Sequence, residues 1–546
     1  MRTTKLAALT TSYTYDAANR VASITYPSGA VVSYTRDFMG RITAVTAQPK
    51  GGTSKQVVSS VAWEPFGPYT SLTYGNGVVE TRGFDQDYRL TALTDAGTSS
   101  PLQNLSYAYY PTNNVQTITD ATNSGNNQSF NYDNLQRLAS AQGGYGWLAW
   151  TYDKNGNRLS QTFGSAITTY GYGTANDLLT TLSLNGTTTQ AIGYSADGRI
   201  ASLNPGFQTP GGPLVTSLNY NQDARLSAVN SDGQALATYA YDGFGQRLIK
   251  TVSPTYGEMY QYGQEGMLLE ETNASGVAQA DYIYLNGQPI ASLNPSSGTL
   301  YFLHDDLLGT PQLATDAGQN NVWQANYEPF GQTWSISGTI TQNLRLPGQY
   351  FDLESGWNHN GFRDYLPDLG RYGEPDPLES SVLYGYANNS PLTYTDPLGL
   401  ISIHDSIRQH RAIDIDPECG NSGGACTLLR AALVICDCKQ EACGKWKANP
   451  DLRLYGDMWI YSGPFPYKGR RPVDRSVTDA GSAIAHEYRV HIDPSISAVK
   501  PLINALEQKT FNSEAECYGE CDKTSKMVNN QFRQTLQDTQ RRENNQ

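Results

Sequence analysis

The first 400 residues contain no cysteine, because all seven cysteines lie between residues 419 and 521. Phenylalanine is also scarce, with 14 residues against 37 tyrosines, and only six histidines occur in 546 residues. No apolar run approaches the roughly 20 residues that a membrane helix needs, so we expect no membrane span. The apolar stretch near the N-terminus is too short for a classical signal peptide, so we expect export by a specialised route.

Charge and cysteine content divide the chain near residue 400. Residues 401–546 carry 19 basic and 19 acidic side chains, so the whole net charge of −13 belongs to residues 1–400. An acidic N-terminal part disfavours binding to nucleic acid. The chain is also too long for one ordinary hydrophobic core. These shifts predict a domain boundary at about residue 400.

A repeat of about 20 residues runs through the N-terminal part. Its shared form is Tyr-x-Tyr-Asp, a short polar or glycine-containing turn, and then Arg followed by Leu or Ile. Alternating aromatic residues favour a strand and the Asp favours a tight turn, so each unit predicts a β-hairpin whose Arg pairs with its own Asp. Single hairpins cannot bury a face alone, which predicts one long sheet. Clear copies occupy residues 13–24, 34–45, 130–141, 150–161, 193–204, 218–229 and 239–250.

A different set of motifs fills residues 347–400. They are Pro347-Gly348-Gln349-Tyr350, Arg363-Asp364-Tyr365, Gly370-Arg371-Tyr372, Asp376-Pro377, residues 384–389 (YGYANN) and residues 396–400 (DPLGL). Together with the repeats, these motifs resemble those of Rhs and YD-repeat proteins, including the C component of insecticidal toxin complexes; a generic β-solenoid is the alternative. The resemblance implies a multi-domain, mostly β protein. It implies a spiral shell (1–346) that is closed by the block (347–400) and encloses a C-terminal toxin domain (401–546).

This family context carries expectations about partners and location. The resemblance implies a toxin that is secreted or delivered into target cells. Its expected partners are a cognate immunity protein, a tip or adaptor protein of the secretion apparatus, and a protein substrate in the target cell.

The block is also similar to an aspartyl autoprotease that cuts after an Asp-Pro-x-Gly-Leu sequence. Here the cut falls between Leu400 and Ile401. The resemblance implies Asp364 and Asp376 as a catalytic carboxylate pair, with Arg363 beside them. Two carboxyls at one site raise one pKa, so one acts as a base while the other, still protonated, donates to the carbonyl oxygen.

Asp-Pro pairs are also ordinary turn formers. A role in a turn is therefore the alternative to catalysis for Asp376 and Asp396. We favour the turn for Asp396 and catalysis for Asp364 and Asp376, because these two lie inside the matching block.

Residues 401–546 predict a smaller, mainly α (α+β) domain. Residues 427–442 predict an apolar helix, residues 452–462 alternate and predict a strand, and residues 474–490 and 501–542 predict further helices. The seven cysteines favour disulfides in an effector that works outside a reducing cytosol, and a structural zinc site is the alternative.

One motif in this domain carries chemistry. Residues 483–494 (AIAHEYRVHIDP) contain His486-Glu487-x-x-x-His491, one residue longer than the His-Glu-x-x-His of common zinc peptidases. In a regular helix, the extra residue rotates His491 by roughly 140° from His486. A one-residue π-bulge realigns them, and such an insertion resembles the dipeptidyl-peptidase III family.

The resemblance to zinc peptidases implies Zn²⁺ held by His486, His491 and Glu514, with Glu516 as the alternative third ligand. Glu487 is then the general base, and Asp493 is expected to hydrogen-bond a ligand histidine. The competing reading is an ordinary helix with solvated charges.

Other functions remain open for this domain. A nuclease or other toxin activity is the enzymatic alternative, and a non-enzymatic adhesive or structural protein is the other. Neutral charge disfavours a nuclease, and the His-x-Glu and Pro-Cys-x-x-Cys pattern of zinc deaminases does not occur.

Overall fold

The computed structural model divides the chain into two compact units, Met1–Ile403 and His404–Gln546. No helix among the described residues has the length and apolar character needed to cross a bilayer. The structure describes residues 9–65, 67–174, 176–209, 212, 214–253, 256–264, 266–377 and 382–400, and the backbone of 403–404, 425–440, 446–460 and 510–511.

The first unit is dominated by one antiparallel sheet of 30 strands, in which every strand pairs with the next strand along the chain. The prediction of one long sheet of hairpins is therefore confirmed. Its first ten strands are β1 (Ser12–Tyr15), β2 (Val21–Thr25), β3 (Val31–Arg36), β4 (Ile42–Gln48), β5 (Lys55–Trp63), β6 (Tyr69–Tyr74), β7 (Val79–Phe84), β8 (Leu90–Ala96), β9 (Pro101–Tyr109) and β10 (Val115–Asp120). The next ten are β11 (Gln128–Tyr132), β12 (Leu138–Gly143), β13 (Gly146–Tyr152), β14 (Arg158–Phe163), β15 (Ala166–Tyr172), β16 (Leu179–Leu184), β17 (Thr187–Tyr194), β18 (Ile200–Gln208), β19 (Leu214–Tyr220) and β20 (Leu226–Ser231). The last ten are β21 (Gln234–Tyr241), β22 (Arg247–Ser253), β23 (Tyr256–Tyr262), β24 (Leu268–Asn273), β25 (Ala278–Leu285), β26 (Gln288–Asn294), β27 (Thr299–Asp305), β28 (Pro311–Thr315), β29 (Asn321–Tyr327) and β30 (Thr333–Gly338).

The turn that follows each Tyr-Asp pair repeats one geometry. In the first copy, the Asp16 carboxylate accepts hydrogen bonds from the backbone N–H groups of Ala18 and Arg20, at 2.9 and 3.0 Å. Asn19 then adopts a left-handed φ of 59°, and the strand register shifts by one residue at Tyr15. A left-handed residue beside an extra residue is a β-bulge, which fixes the register of the hairpin.

The tyrosines connect neighbouring hairpins through hydrogen bonds. The hydroxyl of Tyr152 donates to the carbonyl oxygen of Leu138 in the preceding hairpin at 2.8 Å, and Tyr241 does the same to Leu226. Phenylalanine could fill the same space but could not satisfy these backbone carbonyls, which explains the excess of tyrosine. The same type of bond is made by Tyr109, Tyr132, Tyr172, Tyr220 and Tyr284.

The beginning of the sheet packs against its later strands. Tyr26, beside the turn that follows β2, donates its hydroxyl hydrogen to the Tyr282 carbonyl in β25 at 2.7 Å. The Tyr74 hydroxyl at the end of β6 donates to the Leu303 carbonyl in β27 at 2.9 Å. Buried side chains from β3–β6 and β23–β29 form one hydrophobic cluster. The strip therefore folds back on itself within the first unit.

A second, smaller sheet follows the long one. It contains β31 (Gln349–Asp352), β32 (Trp357–Asn360), β33 (Arg363–Leu366) and β34 (Arg371–Tyr372), paired in chain order. Two 3₁₀ turns, Ser124–Asn126 and Ala387–Asn389, and the two-stranded pair β35 (Tyr394–Thr395) and β36 (Ile403–His404) complete the described elements of this part.

In the second unit, the described elements are β37 (Ala425–Gln440), β38 (Trp446–Ile460) and β39 (Thr510–Phe511), which form one antiparallel sheet. The strand predicted at 452–462 lies largely within β38. The helix predicted at 427–442 is wrong for residues 427–440, because they belong to β37. A short apolar run of this kind does not by itself distinguish a buried helix from a strand, and Val434 and Ile435 favour a strand. The helices predicted at 474–490 and 501–542 fall almost wholly outside the described residues.

Candidate functional site

The block at residues 347–400 is held by the turns of the long sheet. The Tyr384 hydroxyl donates to the Gly198 carbonyl at 2.7 Å, and the Asn389 amide donates to the Gly156 carbonyl at 2.8 Å. Arg371 reaches the Asp177 carbonyl at 3.2 Å. These carbonyls belong to turns between paired strands, so the hairpin ends form the support on which the block is built.

Arg363, at the start of β33, contacts two carboxylates and one carbonyl from the chain that leads to the predicted cut. Its Nε donates to the Gly399 carbonyl oxygen at 2.7 Å, and its Nη2 lies 2.9 Å from Asp396 Oδ2. The same Nη2 lies 3.5 Å from Asp376 Oδ2. The guanidinium stacks 3.7 Å from the ring centre of Tyr372. A planar guanidinium with five donors suits this convergence of two carboxylates and a carbonyl.

Asp396 forms a turn, but the turn interpretation alone is incomplete. Its backbone carbonyl accepts from the Gly399 N–H at 3.3 Å, as in a tight turn. Its carboxylate also accepts from the Leu400 N–H at 2.9 Å and from the Tyr372 hydroxyl at 2.8 Å. Leu400 itself is 3% exposed. The segment that ends at the predicted cut is therefore buried and fixed by side chains.

Asp364 lies with a different pair of groups. Its Oδ1 is 3.3 Å from Nδ1 of His359, and its backbone N–H donates to Glu374 Oε2 at 2.9 Å. Burial opposes the charge on Asp364, yet the hydrogen bond from His359 and nearby arginines hold the pKa of Asp364 below its usual value. Burial and the neighbouring Asp364 raise the pKa of Glu374 to about 8. Glu374 thus keeps its proton at neutral pH beside an ionised aspartate.

The structure brings Arg363 together with Asp376 and Asp396, and places Asp364 with His359 and Glu374. Residues 363 and 364 are neighbours in β33, so their side chains leave the strand on opposite sides. Sequence reasoning missed Glu374 and His359. The only signal for Glu374 was its position two residues before Asp376, and the only signal for His359 was that it stands where the family resemblance places a tyrosine.

The predicted zinc site lies outside the described residues. His486, Glu487, His491, Asp493 and both candidate third ligands fall there, and so does Ile401 on the far side of the predicted cut. Among the residues that the structure does describe, no cluster of three or more His, Cys, Asp or Glu side chains is arranged to hold a metal ion.

Residues 70–392 match the family model described as Teneurin YD-shell, and residues 8–31 and 15–53 match the model described as RHS Repeat. The first match covers more than half of the chain. The chain belongs to the Teneurin YD-shell family. The YD-shell match includes strands β6 to β30 and nearly all of the block that surrounds Arg363.

Proteins similar to this chain include some that are named as toxins. Toxin subunit YenC1 of Yersinia entomophaga is 25% identical over 453 residues, which cover 68% of this chain and 45% of that protein. Double-stranded DNA deaminase toxin A of Burkholderia cenocepacia is 28% identical over 218 residues, or 33% of this chain and 15% of that protein. The solved structure of TcdB2-TccC3 has a TM-score of 0.59 at 21% identity, covering 72% of this chain and 22% of that one. This likeness shows a shared fold, and the chain spans less than half the length of each of the three.

Proposed function

We propose that this chain is a toxin in which the YD-shell unit carries the C-terminal unit as an effector and releases it by self-cleavage between Leu400 and Ile401. Membership of the YD-shell family and similarity to named toxins support the toxin assignment. The observation that carries the cleavage proposal is the buried site around Arg363, which holds Asp376, Asp396 and the Gly399 carbonyl immediately before the cut. Delivery to target cells, an immunity protein and a secretion adaptor are part of this proposal.

The proposed cleavage is hydrolysis of one amide by a pair of carboxyl groups. The two carboxyl groups would act from opposite sides of β33, since Asp376 lies with Arg363 and Asp364 lies with His359 and Glu374. One of them, as a carboxylate, takes a proton from water, and the water oxygen attacks the Leu400 carbonyl carbon. The other, in its protonated form, donates to the carbonyl oxygen. As the C–N bond breaks, the carboxyl that took the proton from water donates it to the Ile401 nitrogen, and the proton on the former carbonyl oxygen returns to the other carboxylate. The products are a carboxylic acid on Leu400 and a free amine on Ile401. Glu374, uncharged at neutral pH, limits the negative charge beside Asp364.

Intact mass measurement of the purified full chain tests this proposal. We expect a product that begins at Ile401 in the wild type, and only the intact 59.7 kDa chain in Asp364→Asn and Asp376→Asn. Asp305→Asn is the matched control, because Asp305 is equally buried but belongs to β27 and not to the block. An intact wild-type chain, with the same mass profile as Asp376→Asn, would remove the cleavage proposal.

For the effector, we propose a zinc-dependent peptidase built on His486, His491 and Glu514, with Glu487 as the general base. The sequence motif supports this assignment, and the domain's position after a shell favours a destructive activity. A bound Zn²⁺ with an open position would activate a water molecule. Because one relative is named as a DNA deaminase, the class of effector needs its own test.

Glu487→Gln separates the peptidase from the other effectors. In a host strain without an immunity protein, we expect the wild-type chain to kill and Glu487→Gln to lose killing, while Glu507→Gln, in the same unit but outside the motif, keeps it. Metal analysis of the full chain should find one zinc that His491→Ala loses. Killing by Glu487→Gln equal to that of the wild type would favour a nuclease or another toxin. A wild type that never kills would favour an adhesive or structural protein.

A further inference from the structure

The peptide unit between Gly399 and Leu400 is bound at both of its polar ends. The carbonyl oxygen of Gly399 accepts from Arg363 Nε at 2.7 Å, and the N–H of Leu400 donates to Asp396 Oδ1 at 2.9 Å. Arg363 and Asp396 are themselves paired at 2.9 Å through Nη2 and Oδ2. The Arg363–Asp396 ion pair therefore binds one peptide group through both its carbonyl oxygen and its N–H. This peptide group immediately precedes the predicted scissile bond.

Two further side chains fix the ion pair. The Tyr372 hydroxyl donates to Asp396 Oδ2 at 2.8 Å, while its ring lies under the Arg363 guanidinium. The Asn360 amide donates both to the Tyr372 oxygen at 2.7 Å and to the Asp396 carbonyl at 2.8 Å. None of these four side chains is more than 3% exposed. Buried, mutually bonded groups of this kind have few alternative arrangements, so the peptide plane is held in one orientation.

We propose that Asp396 and Tyr372 are positioning residues for self-cleavage, which orient the Leu400–Ile401 bond through the Gly399–Leu400 peptide plane. This inference rests on the proposed function and adds to it residues that are not part of the carboxylate pair. A reaction between groups held in place depends steeply on orientation, and a displacement of about 1 Å costs on the order of 100-fold in rate. Loss of one contact to the Gly399–Leu400 peptide group should therefore slow cleavage without unfolding the block.

Two tyrosines allow a matched comparison. Tyr372→Phe removes the hydroxyl that contacts Asp396 but keeps the ring beneath Arg363. Tyr365→Phe removes an equally buried hydroxyl, which donates to the Phe330 carbonyl at 2.6 Å, and its ring packs against Tyr372. We expect cleavage to slow about 10- to 100-fold in Tyr372→Phe and to stay within about two-fold of wild type in Tyr365→Phe, at similar losses of thermal stability. Equal slowing in both variants would overturn the proposal, because the effect would then be structural.

Hydrogen exchange at Leu400 gives a readout that does not require cleavage. In an Asp364→Asn background, which we expect to remain intact, the Leu400 amide should be protected from exchange. Adding Asp396→Ala should expose it, and Asp396→Asn should restore protection, because the asparagine oxygen can still accept from that N–H. If the Leu400 amide exchanges freely before any change at Asp396, the proposal is wrong. If the amide is protected but the wild-type chain never cleaves, self-cleavage is wrong, while the binding of the Gly399–Leu400 peptide group by Arg363 and Asp396 is supported.

Discussion

At the scale of single residues, the number of residues between the turn aspartate and the following arginine decides which face of the sheet the arginine occupies. Arg20 follows Asp16 by four residues and returns to its carboxylate at 2.7 Å on the partly exposed face. Arg247 follows Asp242 by five residues and is the first residue of β22, whereas Arg20 lies one position before β2. Because side chains of a strand alternate between faces, this shift buries Arg247, which pairs with Asp352 of the block.

Arg247→Met should therefore destabilise the first unit far more than Arg20→Met. Removing one partner of a buried ion pair leaves the other charge uncompensated, which costs about 3–5 kcal/mol. The exposed pair at Asp16 gains little, because water screens it. Urea unfolding followed by tryptophan fluorescence measures both losses. Equal losses would show that the spacing has no energetic consequence. The Arg247→Met, Asp352→Leu double variant should recover much of the loss.

Only one of these two arginine environments follows from the local sequence. The pairing of arginine with its own aspartate is confirmed for Arg20, because both groups belong to one turn and local geometry is enough to join them. The partner of Arg247 lies 105 residues away, and no local pattern encodes it. The same limit applies to Asp396, whose bonds to Arg363 and Tyr372 depend on how β33 and β34 pack against the end of the block.

At the scale of elements, the segment before the predicted cut runs unusually close to two turns of the block. A Cβ added to Gly348 would lie 1.9 Å from the Pro397 carbonyl oxygen, and one added to Gly361 would lie 2.5 Å from the Leu398 carbonyl oxygen. Both glycines also have left-handed φ values, 80° and 55°. Backbone approaches backbone at these positions, so no side chain can rotate away to make room.

Gly348→Ala should push the segment around Pro397 away from the turn at Gly348 and suppress cleavage. The left-handed φ costs about 1–2 kcal/mol for alanine, and overpacking adds about 1–3 kcal/mol. Gly233→Ala is the control, since Gly233 has the same φ of 80° but open space around its Cα. We expect Gly233→Ala to lose only the stability that the left-handed φ costs, and to cleave normally. Thermal unfolding and the intact-mass assay measure the two effects. Normal cleavage in Gly348→Ala would show that the close approach is unimportant.

Elements were predictable in the long sheet and much less so after it. Tyrosines before the turn and an Asp at its first position recur through the repeat, with Ser195 and Asn221 taking the place of Asp in two copies, so the hairpins of β1–β30 follow from local rules. The run at residues 427–442 has apolar residues on every side, which suits a buried helix and a strand equally, and pairing with β38 decides for the strand. The short strands β31–β34 carried a family motif but no periodic pattern that fixed their pairing.

At the scale of the whole first unit, buried carboxyl groups collect where the beginning of the sheet meets its later strands. The Ser28 backbone N–H donates to Glu270 at 2.6 Å, and its hydroxyl donates to Asp281 at 2.8 Å. Burial and mutual repulsion raise the pKa of Asp281 well above its usual value, and burial raises that of Glu270. Nearby in β24, burial raises the pKa of Glu271 to about 7, although Tyr282 donates a hydrogen bond to it.

These shifts predict that the first unit loses stability as the pH rises from about 5 to 9. A carboxyl whose folded-state pKa exceeds its unfolded value of about 4.3 stabilises the fold in its protonated form. That contribution is complete below the unfolded pKa and disappears as the pH rises through about 7 for Glu271 and about 8 for Glu374. Each group then costs on the order of 3–5 kcal/mol. The midpoint of thermal unfolding, measured at each pH, should fall over this range.

Glu271→Gln attributes this pH dependence to a named group. The amide keeps an oxygen that accepts from Tyr282 but cannot ionise, so the decline between about pH 5 and 7 should become shallower. The lowered pKa of Asp364 acts in the opposite direction, since its stabilisation is lost as the pH falls through its folded-state value. Maximum stability should therefore lie on the mildly acidic side of neutrality, and a maximum above pH 8 would contradict the burial of protonated carboxyls where the sheet meets itself.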